Sequence, residues 1–447
     1  MKKLDIIKYF FISLLAACSS ENNFGEETNN SAEILNIKTL GGSGNDSAQS
    51  VVNTSDGGYV VVGYTQSSDG DVEIKNNFSY DYWIIKFDEE GNQEWQKFYG
   101  GSKDDKAEKI IKTKDQGYAI VGRSKSNDMD VNNNEGLNDI WVTKIDLVGD
   151  IQWEKSFGYS GTDKGFSITQ TQDNGFFIVG ISDLNIQNGD NINTNSSSRH
   201  AGGDFCAIKL NPNGETHWIY YFGGTFTDTP YAALESNDGN FIIVGSSDSS
   251  DGDISVNKGS YDYWVIKISP QGDLVWEKSY GGSEIDKARD ITETVDGNFM
   301  IVGDTRSSND DVNNNYGSAD VWIIKINSNG DLLWEKSYGG SSFDGVQAIH
   351  RADDGYIVAG NSRSINYNLE QNNGQNDAWF FKINEFGVIK WQSTIGGSNI
   401  DLLMDITQLT SGSIICVGNT ASSDLEIAEN KGLTDLLIVE AKPFQNL

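Results

Sequence analysis

The sequence predicts an all-β chain: a seven-bladed β-propeller of four-stranded antiparallel blades, closed by an N-terminal strand that completes the last blade. Three observations lead there. A motif recurs seven times at near-constant intervals, its second-strand segments are apolar without interruption, and the two chain ends carry strand fragments that complete one another. The repeat is anchored on a glycine, at Gly41, Gly100, Gly158, Gly223, Gly281, Gly339 and Gly396, with spacings of 59, 58, 65, 58, 58 and 57.

Each unit holds four strand signals. The first runs from Ala48 to Thr54 in the opening copy and stops at the turn Asp56-Gly57-Gly58. The second begins at Tyr59 as Tyr-Val-Val-Val, with Phe241-Ile-Ile-Val and Phe299-Met-Ile-Val among its counterparts. Such runs suit a strand covered on both faces, because a sheet with one wet face alternates polar and apolar residues. After a polar loop comes the third strand, Asp262-Tyr-Trp-Val-Ile-Lys-Ile, then a turn at Gln271-Gly272-Asp273 and the fourth strand, Leu274-Val-Trp-Glu-Lys-Ser-Tyr. Trp264 and Trp276 stand on the two arms of that hairpin. Trp83 and Trp95, Trp141 and Trp153, Trp322 and Trp334, and Trp379 and Trp391 repeat the same interval, and Cys206 and Trp218 keep it with one substitution.

The ends argue for a ring. The last unit stops after a third strand, Leu436 to Glu440, while the chain's first strand signal, Ile34 to Leu40, has the character of an orphan fourth strand. Joined, they make a seventh blade and leave no open edge. Asn36 and Leu437 stand at the two tryptophan positions of that blade, so it is expected to be the least tightly packed.

Composition agrees and narrows the partners. Forty-nine glycines against four prolines indicate many tight turns, and 11 Trp, 18 Tyr and 20 Phe supply a core. A formal charge of −32 repels a phosphate backbone, so nucleic acid is not expected as a ligand. Of the three cysteines, Cys206 and Cys416 fall where other units place apolar residues and read as buried thiols.

The third cysteine belongs to an export signal. Met1-Lys2-Lys3 precedes a short apolar run, Tyr9 to Leu15, too short to cross a membrane as a helix. The run ends in Leu15-Ala16-Ala17-Cys18, which resembles the bacterial lipobox. That resemblance implies that residues 1–17 are a signal peptide, that Cys18 receives the lipid, and that the mature chain, having lost Lys2, Lys3, Lys8 and Asp5, carries −34. It also implies an exported, lipid-anchored protein, and Ser19 in place of an aspartate points to the outer membrane, facing either way. Residues 18–32 are polar and read as a flexible tether, with residues 33–447 as one propeller domain. The units, such as Asp56-Gly-Gly-Tyr, Asp81-Tyr-Trp-Ile-Ile-Lys and Trp334-Glu-Lys-Ser-Tyr-Gly-Gly, resemble the β-propeller repeats of exported bacterial lipoproteins and surface proteins. The resemblance spans Ile34 to Glu440 and implies the fold. It does not imply a function, since propellers host enzymes, lectins and scaffolds.

Several constellations are candidate sites. An aspartate stands five residues after each opening glycine: Asp46, Asp105, Asp163, Asp228, Asp286, Asp344 and Asp401. These either ring the mouth of the central channel and hold a ligand or cation, or accept main-chain donors within each blade. A second aspartate opens every third strand, at Asp81, Asp139, Asp204, Asp262, Asp320, Asp377 and Asp435, and is expected to fix the preceding loop. The loops between second and third strands contain Asp69-Gly-Asp71, Asp128-Met-Asp130, Asp251-Gly-Asp253 and Asp424-Leu-Glu426. Oxygen ligands on a turned loop suit calcium, but the spacing is not that of an EF-hand, and Asp-Gly pairs serve turns equally well. One loop, between Gly180 and Asp204, is longer by about seven residues and holds Arg199 and His200, a further binding candidate. No His-Glu-x-x-His, Cys-x-x-Cys or Gly-x-Ser-x-Gly element occurs.

The functional expectation is a surface or outer-membrane lipoprotein that acts as a non-enzymatic binding or scaffold module, monomeric, with a glycan, peptide or protein ligand. No cofactor is required, although calcium is possible. A carbohydrate-active hydrolase using paired carboxylates and a calcium-stabilised scaffold are the alternatives.

Overall fold

A computed structural model describes residues 31–443 apart from 74, 76, 77, 183–202 and 370. The signal peptide, Cys18, most of the tether, Arg199 and His200 lie outside the described residues.

The described chain forms seven four-stranded antiparallel sheets and no helix. Six blades each take four consecutive strands. Blade 1, for example, runs Asp46–Asn53, Tyr59–Thr65, Asp81–Phe87 and Gln93–Tyr99 from inner to outer edge. Blade 7 takes three strands from the C-terminal end and its outer strand, Glu33–Leu40, from the N-terminal end. Glu33–Leu40 pairs antiparallel with Asp435–Lys442, closing the ring.

Six of the seven inner strands begin two residues before the pattern of apolar residues suggests, and that of blade 3, Lys164–Gln170, begins one residue before. Asp46 is already paired, its N–H donating to the Thr434 carbonyl of blade 7 at 2.8 Å, and Asp105 does the same to Tyr80 of blade 1 at 2.7 Å. The start is thus set by the neighbouring blade, in the first case by a contact between opposite ends of the chain.

Second and third strands are buried on both faces, because every blade covers its neighbour. Trp83, Trp141, Trp264, Trp322 and Trp379 lie in these layers, and each indole N–H reaches a carboxylate or amide oxygen on its own outer strand: Gln96, Glu154, Glu277, Glu335 and Gln392. An aromatic core thereby satisfies its polar atoms. In the closing blade Leu437 is fully buried, whereas the first four residues of Glu33–Leu40 are exposed. Cys206 and Cys416 are buried free thiols.

A lysine near the end of the third strand is buried in six blades, at Lys86, Lys144, Lys209, Lys267, Lys325 and Lys382. Each ammonium is held by the aspartate of its own blade's first turn, Asp56, Asp115, Asp173, Asp238, Asp296 and Asp354. The bond anchors the turn to the third strand. Blade 7 has Glu440 and Ser411 at these positions and lacks the clamp.

Candidate functional site

Two kinds of position emerge once the blades are superimposed: those identical in every blade, which build the ring, and those that differ in almost every blade, which line its centre.

The identical positions form a node at each blade junction. The seven opening aspartates are all 0 % exposed. In six of them one oxygen accepts the N–H of the residue four before, as Asp46 does from Gly42 at 2.8 Å and Asp344 from Gly340 at 2.7 Å, and also a serine hydroxyl from the end of the second strand. In blade 3 Tyr159 is that N–H donor, at 2.9 Å. The other oxygen typically takes the Thr or Ser hydroxyl two residues earlier, Thr65 in blade 1 and Ser362 in blade 6. These hydroxyls recur in all seven copies, a signal that the reading of glycines and aspartates passed over. The third-strand aspartates behave likewise: Asp139 and Asp262 accept the N–H four residues before, from Glu135 at 2.9 Å and Lys258 at 2.6 Å. A Cβ on the opening glycine would overlap both carboxylates, at Gly339 those of Asp320 and Asp344. Glycine is required because two aspartates close on it from opposite sides.

The loop acids dock one loop on another. Asp69 accepts Ser43 N–H at 2.7 Å and Asp71 accepts Gly41 N–H at 3.1 Å. Asp128 and Asp130 take Ser102 and Gly100, and Asp251 and Asp253 take Thr225 and Gly223. In blade 6 two neutral amides do the same work, Asn366 with Ser341 at 2.8 Å and Asn368 with Gly339 at 3.0 Å. The position therefore needs an acceptor, not a charge. Among the described residues no three His, Cys, Asp or Glu side chains converge as a metal set.

The residue between those acids turns left-handed, with φ of 67° at Gly70 and 66° at Gly252. Blades 2, 6 and 7 place Met129, Tyr367 and Leu425 there, at φ of 56°, 58° and 58°. Bulky side chains adopt that conformation only against strain. All three are about 70 % exposed on the face that carries the Gly-Gly loops.

The variable positions sit in the central channel. Every inner strand has a bulge, seen as a register shift between Ala48 and Ser50, Ala107 and Lys109, Gly165 and Ser167, Pro230 and Ala232, Ala288 and Asp290, Val346 and Ala348, and Leu403 and Asp405. A bulge leaves one residue unpaired and re-aims its side chain. The unpaired residues are Gln49, Glu108, Phe166, Tyr231, Arg289, Gln347 and Met404, and they line one cavity of about 100 Å³. Six residue types fill seven equivalent positions. The repeat, strict at its nodes, breaks at its bulges.

The cavity is charged. Lys109 from blade 2 binds Asp405 of blade 7 at 3.0 Å. Burial would lower its pKa, yet Asp405 and then Asp290 hold it above the usual value. Asp290 accepts Ile349 and Ile291 N–H at 2.9 and 2.8 Å, and burial, offset by Lys109, pushes it up to about 6. Above this layer, toward the Gly-Gly loops, Glu108 pairs with Arg123 at 3.2 Å and Lys164 at 3.0 Å, and Arg289 pairs with Asp304 at 3.4 Å. Phe166 and Tyr231 meet edge to face at 5.3 Å between centroids.

Comparison with known proteins assigns no function. No family profile matches the sequence, and no curated protein sequence matches it. Among solved structures, the chain is similar to the WD40 domain of Pan2 from Neurospora crassa, at 10 % identity and a TM-score of 0.48 over 93 % of this chain and 98 % of that one. It is similar to a protein of unknown function from Bacteroides caccae, at 10 % identity and TM-score 0.42 over 70 % and 90 %. A third likeness is the extracellular domain of a one-component system from Bacteroides thetaiotaomicron, at 11 % identity and TM-score 0.46 over 93 % of this chain. This chain spans 43 % of the length of that domain.

Proposed function

We propose that this chain is an exported, lipid-anchored binding module that takes its ligand at the channel mouth on the Gly-Gly loop face. The observation that carries this is the broken symmetry at the bulges. A ring needs like residues at like positions, so seven side chains of six types converging on one cavity have no part in building blades. The lipobox-like Leu15-Ala16-Ala17-Cys18 supports the anchor and the export. The test is capture of ligands from a glycan and peptide panel by the full chain, repeated with Arg289→Met and Tyr231→Ala. We expect binding that both variants weaken at least tenfold while the fold persists. Binding that neither variant touches would move the site elsewhere.

A hydrolase is the second reading, favoured by one feature: Asp290, which burial pushes up to about 6, shares the cavity with a second carboxyl group, Glu108. Two carboxyl groups in one cavity are the minimum such chemistry needs. Turnover of a bound oligosaccharide, lost in Asp290→Asn, would establish it.

A further inference from the structure

The indole that five blades carry on the third strand is absent from blade 3, where Cys206 stands in its place. Three further positions break the repeat beside it. The outer-strand acceptor of the indole N–H, Glu277 in blade 4 and Glu335 in blade 5, is Ile219. Two residues on, Tyr221 replaces the serine of those blades, and Tyr159 replaces the second glycine of the Gly-Gly loop. All four of these residues line one cavity of about 200 Å³ between blades 2 and 3, together with the loop residues Asn133 and Glu135.

The cavity has apolar walls and acidic groups. At other junctions an aromatic residue of one blade meets the indole of the next, Tyr82 with Trp141 at 4.5 Å and Tyr263 with Trp322 at 4.7 Å between centroids. Here the corresponding residues are Ile140 and Cys206. Glu135 N–H donates to one Asp139 oxygen at 2.9 Å, while the other Asp139 oxygen and the Ser156 hydroxyl, both buried, have no hydrogen-bond partner. Among the described residues no lysine or arginine lines the cavity. Burial and then the Asp163 charge push the Cys206 thiol up, so the negative field reaches the floor.

The chain's own equivalent clefts show what such a place takes. In blade 1 Lys75 binds Asp81 at 3.1 Å. In blades 4 and 7 burial pushes Asp262 and Asp435 up to about 6, and the charges of Lys258 and Lys431 oppose it. Those two lysines occupy the position of Glu135, four residues before the aspartate. The Lys258 ammonium also donates to the carbonyl of Ser279, the counterpart of Ser156, at 3.3 Å. These three clefts thus receive a cation from one blade and an indole from the next, Trp141, Trp322 and Trp83. The cleft between blades 2 and 3 receives neither and gains an acid. Blade 7 also lacks the indole, but it has the larger Leu437, and blade 6 offers the neutral Asn373 at the position of Glu135.

We infer that the cleft between blades 2 and 3 binds a small aromatic amine, its ring in the place an indole takes elsewhere and its ammonium at Glu135 and Asp139. Size agrees: a cavity of about 150 Å³ with aliphatic walls takes up benzene, so one of about 200 Å³ admits a ring with a short aminoalkyl arm. The ammonium supplies a donor to the unpartnered oxygens, and the ring covers the apolar wall. This site is separate from the channel.

The probe is tryptamine, with indole, indolepropionate and butylamine beside it, titrated calorimetrically into the full chain. We expect tryptamine to bind and each of the others to bind weaker by about tenfold or more, the range of one charge-assisted hydrogen bond or one buried ring. Glu135→Lys, at an exposed position, should weaken tryptamine by about the same factor without changing thermal unfolding. Cys206→Trp, Ile219→Glu and Tyr221→Ser made together write the residues of blades 4 and 5 into blade 3 and should abolish binding, whereas Tyr231→Ala in the channel should leave it intact. Indole or indolepropionate binding as tightly as tryptamine, tryptamine binding unchanged by Glu135→Lys or by the triple change, or binding lost in Tyr231→Ala, overturns the inference. So does a panel on which nothing binds. If the triple variant does not fold, Glu135→Lys decides.

Discussion

Replacing Asp320 by asparagine is expected to stabilise the protein at pH 8 and to leave it unchanged near pH 4. Asp320 is 0 % exposed; one oxygen takes the Tyr316 N–H, and the other, without a hydrogen-bond partner, faces Gly339 opposite Asp344. Burial, then the Asp344 charge, pushes its pKa up to about 7. Asp204 is held at about 7, and Asp262, Asp377 and Asp435 at about 6, for the same reasons. The sign follows from linkage: a carboxyl that holds its proton more tightly when folded makes the fold less stable as pH rises from about 4 to about 7. Moving one midpoint from 3.8 to about 7 removes about 4 kcal/mol by pH 8; relaxation of the pair reduces this, so about 2 kcal/mol is expected back from asparagine. Asparagine keeps the acceptor for Tyr316 N–H and offers Asp344 a donor. Blade 1 is the internal control, because Lys75 binds Asp81 at 3.1 Å and supplies the missing counter-charge. Asp81→Asn should therefore fail to stabilise, and should cost about 1 kcal/mol by stranding a buried lysine. Urea unfolding of both variants at pH 4.5 and pH 8 decides the matter. Equal behaviour of the two substitutions, or a gain for Asp320→Asn that does not change with pH, would refute the node as described.

Other expectations follow from the same structure. Asp296, held at about 2 chiefly by Thr294 and Lys325 against the effect of burial, contributes stability that is complete above pH 3.8 and lost as pH falls toward 2; Asp296→Asn should cost about 1 kcal/mol at pH 5 in urea unfolding, the acid being half exposed. Deleting Glu33–Leu40 removes every pair made with Asp435–Lys442 and bares a sheet edge, for a loss on the order of 5 kcal/mol and a tendency to aggregate, whereas deleting residues 1–30 should not shift the urea midpoint. Glycine at Met129, Tyr367 or Leu425 relieves about 1–2 kcal/mol of left-handed strain against about 0.5–1 kcal/mol of added chain entropy, so each variant should gain about 0.5–1 kcal/mol in urea unfolding. Because the loop acids bind main-chain donors, chelation of calcium should leave the melting temperature unchanged.

Much of this ring could be read from residues alone because its determinants are local and repeated. The evenly spaced tryptophan pair fixes the third hairpin, the Asp-Gly turns fix the first, and the orphan Ile34–Leu40 fixes closure. The inner-strand starts could not be read, since the Asp46 N–H is satisfied by Thr434, which no local pattern reveals. The channel was hidden for a related reason. Simple alternation along Asp105–Lys112 would turn Lys106 and Glu108 to one face and Lys109 to the other, but the bulge after Ala107 shifts the register so that Glu108 and Lys109 both reach the cavity. A bulge depends on the paired strand and leaves no residue signature of its own. What did leave a trace was contrast. Beside columns of seven identical glycines or aspartates lies one reading Gln, Glu, Phe, Tyr, Arg, Gln, Met.

That contrast divides the labour within each inner strand. The opening aspartate and the apolar residues two and five places on, such as Asp105, Ala107 and Ile110, are buried and bind the blade to its neighbours. Glu108 and Lys109, between them, line the channel. The apolar layers around Trp141 and Trp322 then hold the ring while the axis changes, so a substitution at Glu108 or Arg289 is absorbed by the channel and not by the fold. The same division explains why the nodes make poor ligand sites. In six blades the opening aspartate already serves a Gly-Gly loop N–H and a serine hydroxyl, and a ligand drawing on it would loosen a junction that the ring requires. A propeller built this way can acquire a new specificity only at its centre or on its loops, and it is there that its sequence stops repeating.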